Sequence, residues 1–319
     1  MQNDRIFLTG ATGFLGAHVA RELLAAGYRV RALRRASSAP PTQLRAERAE
    51  LQWVEGDLRD AGSLRDAMVG CRYLMHCAAL YSFAPRDRAL MHAVNVRGTA
   101  SLLEAAALAG VERAVVTSSS ATLFPHLRHS AYHASKLEQE RAALASRTPV
   151  TLLLPTTPVG PGDLKPTPTG ALIRNFARGR IFASPPGDGG LNLVAVEDVA
   201  SAHVCALAHG RSGKRYTIGS ENIAFSELWQ MLAEVTGVAA PRRRIPYALA
   251  IAIGYVDEAR CRVLRNAHPL VPLEGVRLSR ERLYVNADES AAELGYSRSS
   301  VRAALVRAVT WYRENGYLN

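Results

Sequence analysis

Tyr132 and Lys136 stand four residues apart in Ala131-Tyr132-His133-Ala134-Ser135-Lys136, a stretch that reads as helix, so both project from one face. An ammonium beside a phenol lowers the phenol's pKa and can hold a ribose, which makes the pair a proton donor for a carbonyl. About 120 residues earlier the apolar run Ile6-Phe7-Leu8 leads into Thr9-Gly10-Ala11-Thr12-Gly13-Phe14-Leu15-Gly16 and then a helix from Ala17 to Ala26. Gly10, Gly13 and Gly16 let backbone N–H groups and the positive helix end approach a pyrophosphate, and a side chain at any of the three is expected to hold the phosphates off. Each motif is weak alone. Their order, spacing and strand-turn-helix context together point to a dinucleotide and hydride chemistry.

The elements between them fit that reading. Strand-like runs at Arg5–Thr9, Tyr28–Leu33, Leu51–Glu55, Tyr73–Cys77, Ala114–Thr117 and Val150–Leu154 alternate with helical stretches, including a long helix near Ala89–Ala109 closed by Gly110. Such alternation predicts an α/β protein with a Rossmann-type, doubly wound parallel sheet over residues 1–155. Past Pro155 a run of prolines and glycines breaks regular structure and opens a smaller substrate domain, 156–319. That domain is discontinuous, because 191–220 reads as a strand and helix returning to the sheet. Val301, Ala304, Leu305, Ala308, Val309 and Tyr312 recur at helical spacing after a Ser299 or Ser300 cap, with Gly316 as the stop.

These residues resemble the extended branch of the short-chain dehydrogenase/reductases, the NAD-dependent epimerase/dehydratase family. The resemblance spans essentially the whole chain and includes Gly56-Asp57-Leu58-Arg59-Asp60, His76-Cys77-Ala78-Ala79, Asn95-Val96-Arg97-Gly98-Thr99 and Thr117-Ser118-Ser119-Ser120-Ala121-Thr122. It implies Tyr132 as acid/base with Lys136 as its tuner and ribose holder, and a hydroxyl from Ser118–Ser120 on the substrate oxygen, Ser120 ahead of Ser119. It implies a dinucleotide lying against Thr12, Phe14, Leu15, Asp57, Leu58, Ala78, Ala79 and Pro155. The stretch Pro155–Gly170 with Leu191–Val194 resembles hopanoid-associated sugar epimerases, relatives of the dihydroflavonol reductases, and so implies polycyclic triterpenoid lipid metabolism. Ala121-Thr122 stands where sugar dehydratases carry Asp-Glu, which argues against dehydration. Ser120 and Tyr132 are 12 positions apart, far fewer than is usual in the branch, which predicts an open site suited to a bulky substrate or one completed by a partner. The resemblance also implies a homodimer joined by a helical face.

The second strand ends in Arg34-Arg35 with Ser37-Ser38 beyond, where an NAD-binding unit carries an acid for the ribose 2′-hydroxyl. A guanidinium there suits a 2′-phosphate, so NADP is favoured; the alternative is two surface arginines with NAD held by other contacts. The function read is hydride transfer between nicotinamide and a secondary alcohol or ketone carbon, as a reductase. An epimerase that oxidises and re-reduces one carbinol is the alternative, and a non-catalytic NADP-sensing regulator a more distant one.

Composition bounds the rest. The chain has 319 residues, 48% of them apolar, enough for a sizeable core. Cys71, Cys77, Cys205 and Cys261 lack metal or disulfide spacing and suit a reducing cytoplasm, and Met1–Gly10 leaves no room for a signal peptide. His126, His129 and His133 lack the carboxylate or cysteine that a metal site needs, so no metal is expected. A net charge of +11 is scattered without aromatic interleaving, which argues against nucleic acid. Arg242-Arg243-Arg244 beside the apolar Tyr247–Val256 allow peripheral contact with an anionic membrane and a lipid-linked substrate; the simpler reading is a solvated turn before a core helix.

Overall fold

In the computed structural model, which describes residues 4–44, 50–82, 84–184, 186–264 and 269–319, a seven-stranded parallel sheet organises the chain. Its first three residues, part of the stretch read as leading into the first strand, lie outside the described residues. The sheet holds β1 (Arg5–Thr9), β2 (Arg29–Arg34), β3 (Leu51–Glu55), β4 (Tyr73–His76), β5 (Arg113–Thr117) and β6 (Val150–Pro155). The spatial order is β3-β2-β1-β4-β5-β6, with a seventh strand, Arg215–Ile218, beyond β6. The order reverses between β1 and β4, which is where open α/β sheets bind ligands, at the carboxyl ends of the strands.

Strand alternation divides the core between the two faces. Ile6 and Leu8 of β1 join Val115 and Leu153 under α1 (Phe14–Ala25) and α7 (Val196–His209), with Leu294 of α11 (Asp288–Leu294). Phe7 faces the opposite way, with Leu74, Val116 and Leu152, under α2 (Ala61–Met68), α4 (Gly98–Leu108) and α5 (Ala131–Leu144). Between α3 (Arg88–His92) and α4 the helix widens to π geometry over Ala93–Arg97, so the predicted long helix is continuous but bulged. The bulge turns Asn95 inward, where it bonds both the N–H and the carbonyl of Leu80 and the Ser135 hydroxyl.

The second lobe is built on β9 (Gly190–Ala195), which pairs with β7 (Thr157–Val159), β11 (Glu221–Ala224) and β13 (Arg282–Leu283). Its own core sets Leu193, Ala195 and Ile223 against α6 (Pro168–Ala177), α8 (Phe225–Thr236) and α12 (Val301–Glu314). Two sequence expectations are corrected here. The strand at 191–196 does not return to the parallel sheet; the returning strand is β10 (Arg215–Ile218), parallel to β6, while α7 packs on α1. The Pro/Gly segment after Pro155 is also not devoid of regular structure: Pro158 sits in the three-residue β7, and Pro168 begins α6 behind a Thr167 cap, positions where a missing N–H costs nothing.

Two short strands, β8 (Ala183–Ser184) and β12 (Arg243–Arg244), pair in parallel and lead to α9 (Tyr247–Val263), which packs on α10 (Leu273–Leu278). The expected core helix is α9, and it is not one: only Ala250, Gly254, Asp257 and Cys261 on one face of its 17 residues are buried.

Candidate active site

The glycine turn fits a phosphate by what its helix lacks. Gly13 caps α1 with no side-chain hydrogen bond and no acid stands in the first turn, so the helix itself supplies no anionic partner to its leading N–H groups. The glycines divide their duties, which corrects the expectation that all three clear the phosphates. Gly10 has φ +85° and its missing Cβ would lie 2.6 Å from Ala78 N; a Cβ on Gly16 would reach 2.1 Å from Gly10 O. Those two are required by chain packing. Exposed Gly13, whose Cβ would meet only Gly10 O at 3.3 Å, is the one open to a ligand.

Thr12, Phe14 and Leu15 flank that turn half-buried; past the end of β4, Ala78 faces it across Gly10, and Ala79 follows, exposed. Leu58 is buried against Gly98, and Pro155 is buried at the end of β6. Asp57 accepts from the Arg59 backbone N–H and from its guanidinium in bidentate fashion, which holds the carboxyl down at about 2. Arg34 is less available than its position suggests: Nη2 lies 2.6 Å from Glu55 Oε1, its neighbour in the β2–β3 register, and Nη1 donates to Ser38 O. Arg35 is exposed, its guanidinium makes no hydrogen bond or ion pair among the described residues, and its charge helps lower Asp57.

At the carboxyl end of β5 the three serines part company. Ser118 is buried and donates to Glu140, which also takes Thr122 Oγ1 at 2.8 Å and Arg215 Nε at 3.0 Å. Ser119 hydrogen-bonds the Tyr132 phenol, and its oxygen accepts from Ala121 N. Ser120 opens a 3₁₀ turn over Ser120–Leu123 and is not among the groups that act on the phenol. Of the two serines that the sequence reading offered, Ser120 ahead of Ser119, it is Ser119 that acts on the phenol. Strand alternation alone left this open, because the 3₁₀ turn begins within the serine run.

Tyr132 sits in the first turn of α5, capped by Ser130, with the Tyr81 ring centroid 4.3 Å from its own. Burial pushes its phenol up to about 12, against the pull of the Ser119 hydrogen bond. The expected lowering by Lys136 is not what the geometry gives. Lys136 Nζ is 6.0 Å from the Tyr132 ring centroid and donates to Thr117 O at 3.0 Å and Gln139 Oε1 at 2.8 Å. Lys136 is itself almost fully buried, which brings it down to about 8.

Gln139 is a residue that sequence reasoning missed. Its amide joins Lys136 to Thr99 Oγ1, which meets His76 Nε2; His76 Nδ1 meets Thr9 Oγ1 in β1. On the other side Thr117 Oγ1 meets His203 Nε2 of α7. Only the recurrence of polar residues at positions that must be buried hinted at this chain.

A cavity of about 340 Å³ lies between Ser82, Ala84 and Ala131, the residue before Tyr132, on one side and α9 and α10 on the other. That volume is in the range of small-molecule sites. Glu274 on its wall is raised by burial and hydrogen-bonds Ser130. The short segment before Tyr132 forms a second 3₁₀ turn, Pro125–His129, where His126 pairs with Glu281 of the second lobe at 3.4 Å.

Residues 6–219 match the NAD dependent epimerase/dehydratase family. The chain belongs to that family. It is 38% identical to a dihydroflavonol 4-reductase-like protein of Synechocystis sp., over 99% of this chain and 96% of the other. It is 35% identical to sterol demethylase protein B of Methylococcus capsulatus, over 98% and 99%. Among solved structures it superposes on gox2253 with a TM-score of 0.85, at 34% identity over 99% of this chain and 100% of that one. It is thus an NAD(P)-dependent enzyme of the short-chain dehydrogenase/reductase type, as its sequence led us to expect.

Proposed function

We propose that the protein is an NADPH-preferring reductase that turns a ketone into a secondary alcohol on a bulky, lipid-like substrate of the polycyclic triterpenoid class. The observation that carries the reaction direction is the enclosure of the Tyr132 phenol, its ring 4.3 Å from that of Tyr81, with burial pushing its pKa up. Enclosure favours the protonated phenol, which suits donation to a developing alkoxide; oxidation of a carbinol needs the phenolate. Ser119 would donate to the same substrate oxygen. NADPH, when bound, would supply the hydride to the carbonyl carbon. Lys136, anchored by Thr117 and Gln139, offers its remaining proton to the cofactor ribose and keeps positive charge behind the site. Support for NADP comes from Arg35, the uncommitted guanidinium after β2, with Arg34 bracing the loop through Glu55 and Ser38. The substrate class is supported by the cavity between Ala131 and α9–α10 and by the similarity to a sterol demethylase protein and a dihydroflavonol reductase-like protein.

Incubation with NADPH deuterated at C4 and a panel of triterpenoid or sterol ketones tests the reading. Deuterium in the product alcohol with stoichiometric loss of NADPH is expected. Interconversion of carbinol epimers with catalytic cofactor and the substrate's own hydrogen retained would replace the reductase with an epimerase.

A further inference from the structure

The exposed side of α9 is apolar where a solvated helix would be charged. Leu249, Ile253, Val256 and Val263 are 52, 39, 71 and 79% exposed, and Ala252 and Ala259 lie on the same face. These positions recur at three- and four-residue steps, so they form one stripe, opposite the buried Ala250, Gly254, Asp257 and Cys261. Arg260 falls within it, its guanidinium turned to Asp257 at 2.7 Å. Two more apolar side chains are exposed in the segments joined to the helix: Leu270, 79% exposed, whose N–H donates to Asp257, and Phe182, 82% exposed, which precedes β8.

Basic residues border this surface. The β8–β12 register sets Arg242, Arg243 and Arg244 beside Phe182 at the start of α9; all three are exposed, and none forms an ion pair among the described residues. At the far end of α9 the acids are already taken: Asp257 pairs with Arg260 and Glu258 with Arg262. A second copy is a poor occupant, because antiparallel pairing along α9 would bring the arginine triplet of one chain onto an end of the other whose carboxylates are engaged. A sheet of lipid phosphates is complementary to the triplet. No described helix is long and apolar enough to cross a membrane, so the contact would lie in the plane of the interface.

We propose that α9 docks the protein on an anionic lipid bilayer, its apolar stripe in the headgroup boundary and Arg242–Arg244 on the phosphates. The buried side of the same helix, through Gly254, Asp257 and Glu258, lines the cavity whose other wall includes Ala131, the residue before Tyr132. Docking would therefore bring that cavity to the surface from which a lipid-like substrate is drawn. This last consequence rests on the reductase reading; the docking face itself does not.

Co-sedimentation of the full chain with vesicles, without substrate, tests the proposal. Binding to phosphatidylcholine vesicles containing phosphatidylserine, weakened by salt and by omission of phosphatidylserine, is the expected result. The triple variant Arg242→Glu, Arg243→Glu, Arg244→Glu should lose about 100-fold in partitioning, and Ile253→Asp with Val256→Asp about tenfold. All the altered side chains are exposed, so thermal midpoints should hold. Wild type left in the supernatant, variants that bind as well as wild type, or a wild-type dimer that Ile253→Asp with Val256→Asp splits would overturn the proposal. NADPH titration of the same proteins reports on the reductase reading separately: vesicle binding without dinucleotide binding would sink that reading and leave the docking face standing.

Discussion

The Gln139 side-chain oxygen lies 2.8 Å from Lys136 Nζ, both groups buried, three residues apart on α5. With Thr117 O it supplies two acceptors for an ammonium that burial has brought down to about 8. The charged form is present below that pH and is lost as pH rises through it. Activity that depends on the Lys136 charge should therefore fall above pH 8. Gln139→Leu removes one acceptor, worth about 1.4 kcal/mol, and should move that limb down by about one pH unit. Gln139→Glu should move it up. Profiles of kcat/KM against pH decide the matter, since a purely structural residue would lower the rate without moving the limb.

Ser119 is placed to matter more than Ser120. Tyr132→Phe should lower turnover by about 10²–10⁴-fold, the scale of a lost general acid. Ser119→Ala should cost about tenfold to a hundredfold, because it removes the hydroxyl proposed to donate to the substrate oxygen beside the phenol. Ser120→Ala should stay near wild type. Steady-state kinetics of the three variants checks this, and a Ser120 effect larger than that of Ser119 would reverse the assignment.

The two structural glycines and Gly13 should separate cleanly. Gly16→Ala forces a methyl toward Gly10 O and should unfold or strongly destabilise the chain, by about 3 kcal/mol or more. Gly13→Ala meets only a 3.3 Å contact and should spare the fold while weakening NADPH binding. Thermal melts with dinucleotide titrations distinguish them; equal loss of stability in both would contradict the division of duties.

His76 and His203 are buried and neutral, brought down by burial to about 3 and about 4. Below about 6.5 the unfolded chain takes up protons that the native histidines refuse, so their contribution is present above that pH and lost as pH falls. At pH 5 each should cost about 2 kcal/mol. Calorimetric midpoints should therefore drop between pH 7 and 5, and His203→Gln should flatten that dependence by about half. An unchanged slope in the variant would show that other groups control acid stability.

The proposed NADPH preference should depend on Arg35 more than on Arg34. Arg35→Ala should reduce the preference for NADPH over NADH by about 1.5–3 kcal/mol, the scale of a charge-assisted hydrogen bond, and Arg34→Ala by less, since its guanidinium is bound to Glu55 and Ser38. Titration of both dinucleotides into both variants reads this directly.

The amino-acid sequence determined whatever depends on local rules. Alternating strand and helix patterns placed β1–β6 within a residue or two at each end, because a parallel sheet demands buried strands joined by amphipathic helices. The glycine turn, the Tyr132/Lys136 spacing and the Ser300 start of α12 were legible for the same reason: each is written within one turn or one strand-to-helix junction. Tertiary structure decided what depends on who sits opposite. Strand 190–195 has the pattern of a sheet strand, but only packing shows that it serves the second sheet. The Tyr132 phenol goes up instead of down because enclosure outweighs a lysine that Thr117 and Gln139 hold away, and no spacing rule contains Gln139. Tyr247–Val256 has the composition of a core helix; its apolar stripe lies outside because the opposite face already meets α10 and the cavity wall. Composition says how apolar a helix is, and only the assembled fold says which of its faces is left for water or lipid.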